Sequence, residues 1–289
     1  MEAPDYAGWE TRIRAWAETR PDLRAILVVG SRARAQPPPD AWADLDLILY
    51  TIATEFYQSG ADWLVGLSEV WAATLGATSH DPEWLVLFGD GAKIDFVIAG
   101  VPENVATVQD IVDSSPYQAV LGDGVRVLAD KLQRSAAALQ LPVAQPLSPP
   151  TSREFCHVVH AGWLEAARAA HYLARHDLWR AQATLNGALR SHLLTLLTWH
   201  AVSQERRPWP GGRRLADWAD PLALAALPET FAGYDSAAMW RALLATVDLS
   251  TRLADEIASR LMYVCDDQST AVRAWLAEMW NAAVSAADP

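Results

Sequence analysis

The chain has 289 residues, of which 51% are hydrophobic and 20% are charged, so it can bury a sizeable core and bulk disorder is excluded. Its net charge of −12 argues against nucleic-acid binding, because proteins that neutralise phosphates usually carry a basic surface. An acidic protein instead suits cationic small molecules or metal ions held between carboxylates, although acidity also serves solubility alone.

The sequence also limits the compartment in which we expect the protein. It has only two cysteines, which form no disulfide framework and no zinc-binding spacing. Its first residues lack the basic start and apolar run of a signal peptide, and no uncharged apolar stretch is long enough to span a membrane. We therefore expect a cytoplasmic protein with no membrane span, and the oligomeric state stays open.

The first half of the chain alternates between strand-like and helical hydrophobic patterns. In chain order these patterns predict a helix at 5–19, strands at 25–29 and 45–50, a helix at 54–76, strands at 84–88 and 93–99 joined by a turn at 89–91, a helix near 102–113, and a strand at 125–128. This alternation favours a mixed β-sheet flanked by helices.

The second half is helical throughout. A proline-rich linker at 141–151 precedes it, and stripes of apolar residues at helical spacing follow within 152–289. Short connections between helices favour an up-and-down bundle. The predicted fold class is therefore α+β, with a mixed-sheet domain at 1–140 followed by an all-α domain at 152–289.

A glycine and a serine end the strand at 25–29. Gly30 and Ser31 offer main-chain N–H groups and a hydroxyl at an expected helix start, where unpaired amides and the helix dipole both favour an anion. Arg32 follows, and its guanidinium group could bind phosphate oxygens. Taken alone, this motif also fits an ordinary strand-to-helix turn.

Two aspartates begin the next predicted strand. Asp44 and Asp46 are two residues apart, so their carboxylates lie on the same face of the strand, while Leu45 and Leu47 point into apolar packing. Adjacent carboxylates repel each other, and a cation would compensate them. Magnesium prefers hard oxygen ligands and commonly combines carboxylates with substrate phosphates. The alternative is a half-exposed strand with an acidic face.

A third aspartate interrupts a later apolar strand. If the strand that contains Asp95 pairs beside that of Asp44 and Asp46, three carboxylates meet and could hold two divalent ions about 4 Å apart. The alternatives are an Asp exposed at a hairpin edge or one paired with Arg126. Together with Gly30, the three aspartates favour a nucleotidyltransferase.

These motifs resemble a known superfamily. A Gly-Ser turn, an Asp-x-Asp pair and a later strand Asp form the signature of the DNA polymerase β-like nucleotidyltransferase fold. More narrowly, the segments at 30–32, 42–46 and 91–95 look like the aminoglycoside 6-adenylyltransferase (streptomycin adenylyltransferase) family. The segments at 188–199 and 211–231 follow the order seen in that family's helical domain, so the resemblance spans nearly the whole chain.

The chain departs from the family pattern at two positions. It has Arg34 where the family usually has Asn, and Leu45 where the family usually has Tyr between the paired aspartates. Neither departure removes a carboxylate. They place the chain as a distant member of the family.

The resemblance implies an activity and a set of ligands. The chain would transfer AMP from ATP to a hydroxyl of a small cationic acceptor, such as an aminoglycoside-like antibiotic, release pyrophosphate and thereby confer antibiotic resistance. The helical domain would bind the acceptor. The residues implied are the catalytic and metal-binding Asp44, Asp46 and Asp95, which would hold two Mg²⁺ ions, and the nucleotide-binding Gly30, Ser31 and Arg32.

Several alternatives stay open at this stage. Glu83 and Glu165 are further candidates for a general base, although we favour Asp95 together with a metal ion. The acceptor could instead be another antibiotic, a nucleotide or a protein hydroxyl. A third possibility is a relative that binds nucleotide without catalysis, against which the three intact aspartates argue.

Overall fold

The protein consists of two compact units. Contacts divide the chain into residues 1–145 and 146–289. The computed structural model describes residues 2–34, 37–102, 104–132, 139–143, 147–265 and 268–287.

A mixed β-sheet forms the centre of the first unit. The strands are β1 (Leu23–Val29), β2 (Leu45–Thr51), β3 (Val70–Ala77), β4 (Pro82–Phe88), β5 (Lys93–Gly100) and β6 (Arg126–Asp130). Within the described part of the chain, their order across the sheet is β3-β4-β5-β2-β1-β6. Strands β2 and β5 pair in parallel, and the other neighbouring pairs are antiparallel.

Helices pack on both faces of this sheet. They are α1 (Tyr6–Glu18), α2 (Thr54–Gln58), α3 (Asp62–Val65), α4 (Val108–Ser114) and α5 (Gln118–Asp123). On one face, Trp9 and Ile13 of α1 are buried against Leu45 and Leu47 of β2, as expected for apolar residues four apart on a helix. On the other face, α4 and α5 bury the far half of β2, including Tyr50. The first residues of β2 are therefore held from one side only.

The sequence predicted most of these elements. The structure confirms the first helix, the strands β1, β2, β4 and β5, and the hairpin turn between β4 and β5. A hydrogen bond from the Phe88 N–H to the Ala92 carbonyl closes this turn. The helix predicted near 102–113 begins only at Val108, where Thr107 forms a capping box with Asp110. Helix α5 was not predicted, and the last strand begins at Arg126.

The helix predicted at 54–76 is wrong. Two short helices, α2 and α3, occupy its first part, and β3 occupies its last part as a strand paired with β4. Most of β3 is exposed, so it has no buried stripe at helical spacing that could distinguish a helix from a strand. Pairing of the main chain with β4 decides its conformation.

The second unit is helical, as predicted. Its helices are α6 (Ser152–Ala174), α7 (Leu178–Thr184), α8 (Arg190–Val202), α9 (Leu215–Trp218), α10 (Pro221–Ala226), α11 (Ser236–Leu261) and α12 (Ser269–Ala287). The apolar stripes predicted on α6, α8 and α11 form one buried core, which includes Trp163, Leu193 and Trp240. None of the helices in the described ranges has both the length and the apolar character that crossing a bilayer requires. The predicted α+β fold class is confirmed.

Candidate metal centre

The three predicted carboxylates lie together at one end of the sheet. In the parallel pairing of β2 with β5, Asp46 is opposite Asp95, so both side chains share one face. Asp44 precedes the first residue of β2 and lies two residues from Asp46. One carboxylate oxygen from each of the three aspartates lies within 4.8 Å of the other two. The structure therefore brings together the side chains that the sequence singled out.

Asp95 is the most enclosed of the three. It lies on β5, an interior strand, and only 7% of its surface is exposed. Its Oδ1 atom is buried and has no hydrogen-bond partner in the described part of the protein. Desolvation raises the pKa of Asp95 above its ordinary value, and this outweighs the opposite effect of Lys93. A buried carboxylate oxygen without a donor needs a compensating partner, such as a water molecule or a cation.

Neither alternative for Asp95 describes the structure. The residue is not exposed at an edge, because β4 and β2 flank its strand. It does not pair with Arg126, whose Nη2 lies 2.6 Å from the Glu10 carboxylate.

Lys93 supplies a positive charge between the carboxylates. Its Nζ atom lies 2.9 Å from Asp44 Oδ2 and 2.6 Å from Asp95 Oδ2. Partial burial lowers the pKa of Lys93, but the hydrogen bonds to the two carboxylates raise it more, so the side chain is charged. The sequence pattern alone assigns Lys93 no role. The available signal was its position two residues before Asp95, which places both side chains on one face of the strand.

Gly30 lies directly against this site. It begins a 3₁₀ turn, Gly30–Arg32, with a φ of +68°, which disfavours residues that have a Cβ atom. A Cβ atom at this position would lie 2.1 Å from Asp46 Oδ2. The helix start expected at Gly30 is wrong, because only this single turn forms. Any anion bound here would therefore contact turn amides without the dipole of a long helix.

The next two residues of the turn differ in their contacts. The Ser31 hydroxyl oxygen is buried and makes no hydrogen bond to the described residues. Arg32 donates from Nε and Nη2 to the Ala43 carbonyl, at 2.9 and 2.6 Å, and its guanidinium group stacks 3.7 Å from the centre of the Tyr6 ring. Arg32 thus holds in place the segment that leads into Asp44.

The two further glutamates occupy different units. Glu165 lies on α6 of the second unit and forms an ion pair of 2.9 Å with Arg168. Glu83 lies on β4, which is paired with the Asp95 strand. Desolvation and the charge of Asp95 raise the pKa of Glu83 above its usual range. Of the two, Glu83 is therefore the one that interacts with the carboxylate site.

We predict that Gly30→Ala destabilises the first unit by about 1–3 kcal/mol and weakens Mg²⁺ binding, because the new methyl group displaces Asp46 and strains the turn. Urea unfolding and Mg²⁺ calorimetry measure the two effects. The matched control is Gly60→Ala, because a Cβ atom at Gly60 meets no atom within 4 Å. Equal losses in both variants would contradict the close packing of Gly30 on Asp46.

We predict that Lys93→Met lowers the thermal midpoint in EDTA by about 2–4 °C, corresponding to roughly 1 kcal/mol for a partly exposed ion pair. Excess MgCl₂ should remove most of this difference, because divalent ions replace the lost positive charge between Asp44 and Asp95. Lys131→Met is the control, since Lys131 donates to the main-chain carbonyls of Ala17 and Arg20. Its effect should be equal with and without Mg²⁺. A Lys93→Met shift that Mg²⁺ leaves unchanged would refute the prediction.

Comparison with known sequences shows the family. The sequence matches the family model described as streptomycin adenylyltransferase over residues 9–279. An aminoglycoside 6-adenylyltransferase of Bacillus subtilis (strain 168) is 23% identical over 257 residues, which cover 85% of this chain and 87% of that protein. One from Campylobacter jejuni is 23% identical over 192 residues, which cover 64% and 63% of the respective chains.

Two solved structures are also similar. A crystal structure of an aminoglycoside 6-adenyltransferase from Bacillus subtilis aligns with a TM-score of 0.46 at 17% identity, covering 94% of this chain and 97% of that one. A nucleotidyltransferase-like protein from Exiguobacterium sibiricum 255-15 aligns with a TM-score of 0.33 at 13% identity, covering 87% and 78%. The family model, which spans nearly the whole sequence, confirms the resemblance inferred from the motifs. This chain belongs to the streptomycin adenylyltransferase family and is a nucleotidyltransferase.

Proposed function

We propose that this protein transfers AMP from ATP to a hydroxyl of an aminoglycoside, releases pyrophosphate, and does so in the cytoplasm with magnesium. The observation that carries the proposal is the convergence of Asp44, Asp46 and Asp95 within 4.8 Å beside the Gly30 turn. Such a group of carboxylates suits nucleotidyl transfer, which depends on positioning and on neutralising phosphate charge.

The residues present fit a divalent metal. The three carboxylates offer hard oxygen ligands, and the buried Oδ1 of Asp95 lacks a donor among the described residues. We propose that Asp44, Asp46 and Asp95 hold two Mg²⁺ ions. Bound there, the ions would supply charge neutralisation at the phosphates and lower the pKa of the acceptor hydroxyl.

The chain's own groups would orient the two substrates. We propose that the Gly30 and Ser31 main-chain amides and the Ser31 hydroxyl bind the triphosphate. The unpartnered Ser31 oxygen supports this role. Arg32 would contribute positive charge while holding the segment before Asp44. Asp95 would lie at the attacking hydroxyl and accept its proton.

The identity of the acceptor rests on two observations. The similar proteins from Bacillus subtilis and Campylobacter jejuni are named aminoglycoside 6-adenylyltransferases, and the present chain carries a net charge of −12, which favours cationic ligands. We therefore propose a small cationic acceptor that bears a hydroxyl. The mass gain of one AMP on a candidate compound separates an aminoglycoside from another antibiotic, a nucleotide or a protein hydroxyl.

We further propose that the helical unit contributes to acceptor binding. A cavity of about 230 Å³ within this unit is lined by Trp163, Tyr263 and Asp255, among other residues. Aromatic faces and a carboxylate together suit a cationic sugar. The Trp163 indole N–H is buried and has no acceptor within the described ranges, so it could donate to a ligand hydroxyl.

We predict that Asp46→Asn reduces Mg²⁺-dependent pyrophosphate release at least roughly a hundredfold, because it removes a carboxylate charge at the phosphate-binding end of the sheet. The assay is a screen of aminoglycosides with ATP and MgCl₂. The control is Asp62→Asn, which changes an exposed aspartate on α3. Retention of full activity by Asp46→Asn would refute the assignment. Absence of release from the unaltered protein with every aminoglycoside would refute the proposed acceptor class.

We predict that Trp163→Phe weakens acceptor binding roughly threefold to tenfold and leaves the KM for ATP unchanged, because it removes one donor but keeps an aromatic ring. Calorimetry with the acceptor measures the effect. Trp240→Phe is the matched control: the Trp240 indole N–H is also buried without a partner in the described part of the chain, but Trp240 does not line the cavity. Similar weakening in both variants would indicate a general packing defect and overturn this role.

A further inference from the structure

Glu83 lies on the same sheet face as the three aspartates. In the antiparallel pairing of β4 with β5, Leu85 is opposite Asp95 and Glu83 is opposite Val97. Glu83 and Asp95 are thus diagonal neighbours on one face, about 7–8 Å apart between their main chains, within reach of a long side chain. The influence of Asp95 on the pKa of Glu83 agrees with this proximity.

Glu83 differs from its neighbours in having no direct ion pair within the described part of the chain, and the charge of Lys93 offsets only part of the rise in its pKa. Asp44 and Asp95 both accept hydrogen bonds from Lys93, whereas the Glu83 carboxylate makes no hydrogen bond or ion pair with any residue the structure describes. It is partly buried, and its pKa is raised first by this desolvation and then by the charge of Asp95, while the charge of Lys93 acts in the opposite direction. A partly desolvated carboxylate of this kind is stabilised by a cation.

An uncovered apolar surface adjoins Glu83. We call it the β3–β4 strip, which consists of Thr74, Leu85 and Leu87. Leu85 and Leu87 point to the same face as Asp95 and are 36% and 38% exposed, and Thr74 is opposite Leu85 on the neighbouring strand. Apolar side chains beside carboxylates suit a hydroxylated ring that packs its C–H face on them and carries cationic substituents, which is the chemistry of an aminoglycoside.

We propose that Glu83 binds a cationic amino or guanidino group of the acceptor and thereby selects aminoglycosides over neutral hydroxyl compounds. This inference rests on the proposed function, because it assigns the acceptor to the surface beside Asp95. One part of the acceptor lies with the C–H face of its ring on the β3–β4 strip, and the charged group of that part forms an ion pair with Glu83. Glu83 is thus a specificity-determining residue that takes no part in proton transfer.

The test compares Glu83→Gln with the unaltered enzyme, using the aminoglycoside that gives the fastest pyrophosphate release, or streptomycin if none is active. The expected result is a rise in the acceptor KM, and in the calorimetric Kd, of roughly 10- to 100-fold, with kcat and the KM for ATP close to their original values. Glu83→Asp, which keeps the charge, should restore most of the affinity. Rising salt should weaken acceptor binding to the original protein more than to Glu83→Gln.

The control variant is Glu55→Gln, because Glu55 is exposed on α2, which packs on the opposite face of the sheet. It should leave every parameter unchanged. An unchanged acceptor KM in Glu83→Gln, or a loss confined to kcat, overturns the proposal, and the second outcome would assign Glu83 to proton removal. If no aminoglycoside supports pyrophosphate release, the proposed function fails. Weaker calorimetric binding to Glu83→Gln would still support the role of Glu83.

Discussion

The parallel pairing of β2 with β5 is the contact on which the candidate site depends. It places Asp46 opposite Asp95, and Asp44 follows because it lies two residues before Asp46. Leu45 and Leu47, on either side of Asp46, point into the buried core, so the sheet cannot shift by one residue without exposing them and burying the carboxylates. The same packing that stabilises the first unit therefore holds three negative charges close together.

Three carboxylates held close together repel one another, and neighbouring groups in the structure offset this repulsion. Lys93 binds two of the carboxylates directly, and the Gly30 turn makes room for Asp46 because it has no side chain. Arg32 fixes the approach to Asp44 by its hydrogen bonds to a main-chain carbonyl. Among the residues the structure describes, the buried Asp95 Oδ1 and the Ser31 hydroxyl oxygen have no hydrogen-bond partner, and such exceptions are concentrated at functional sites.

The sequence was informative where local patterns are strong. Helical and strand spacings of apolar residues correctly predicted α1, β1, β2 and the helical unit, because burial of one face of an element imposes a regular spacing on its apolar residues. They failed at β3, where most side chains are exposed and no such spacing exists. The Gly-Ser motif also suggested a helix start at Gly30, where the chain makes only a single turn. Both errors occur where main-chain pairing or a sharp change of direction, and not burial, decides the conformation.

The sequence by itself determined which carboxylates share a strand face, because side chains alternate strictly along a strand. It also carried enough of the family's motifs to identify the family. Only the tertiary structure decided that β5 lies beside β2, since strand order depends on contacts between distant residues such as Lys93 and Asp44, which are 49 positions apart. The same long-range pairing brought Lys93 and Glu83 to the aspartates. Their contributions could not be read from local patterns, because a charged residue on a strand acquires its role from the strand that pairs with it.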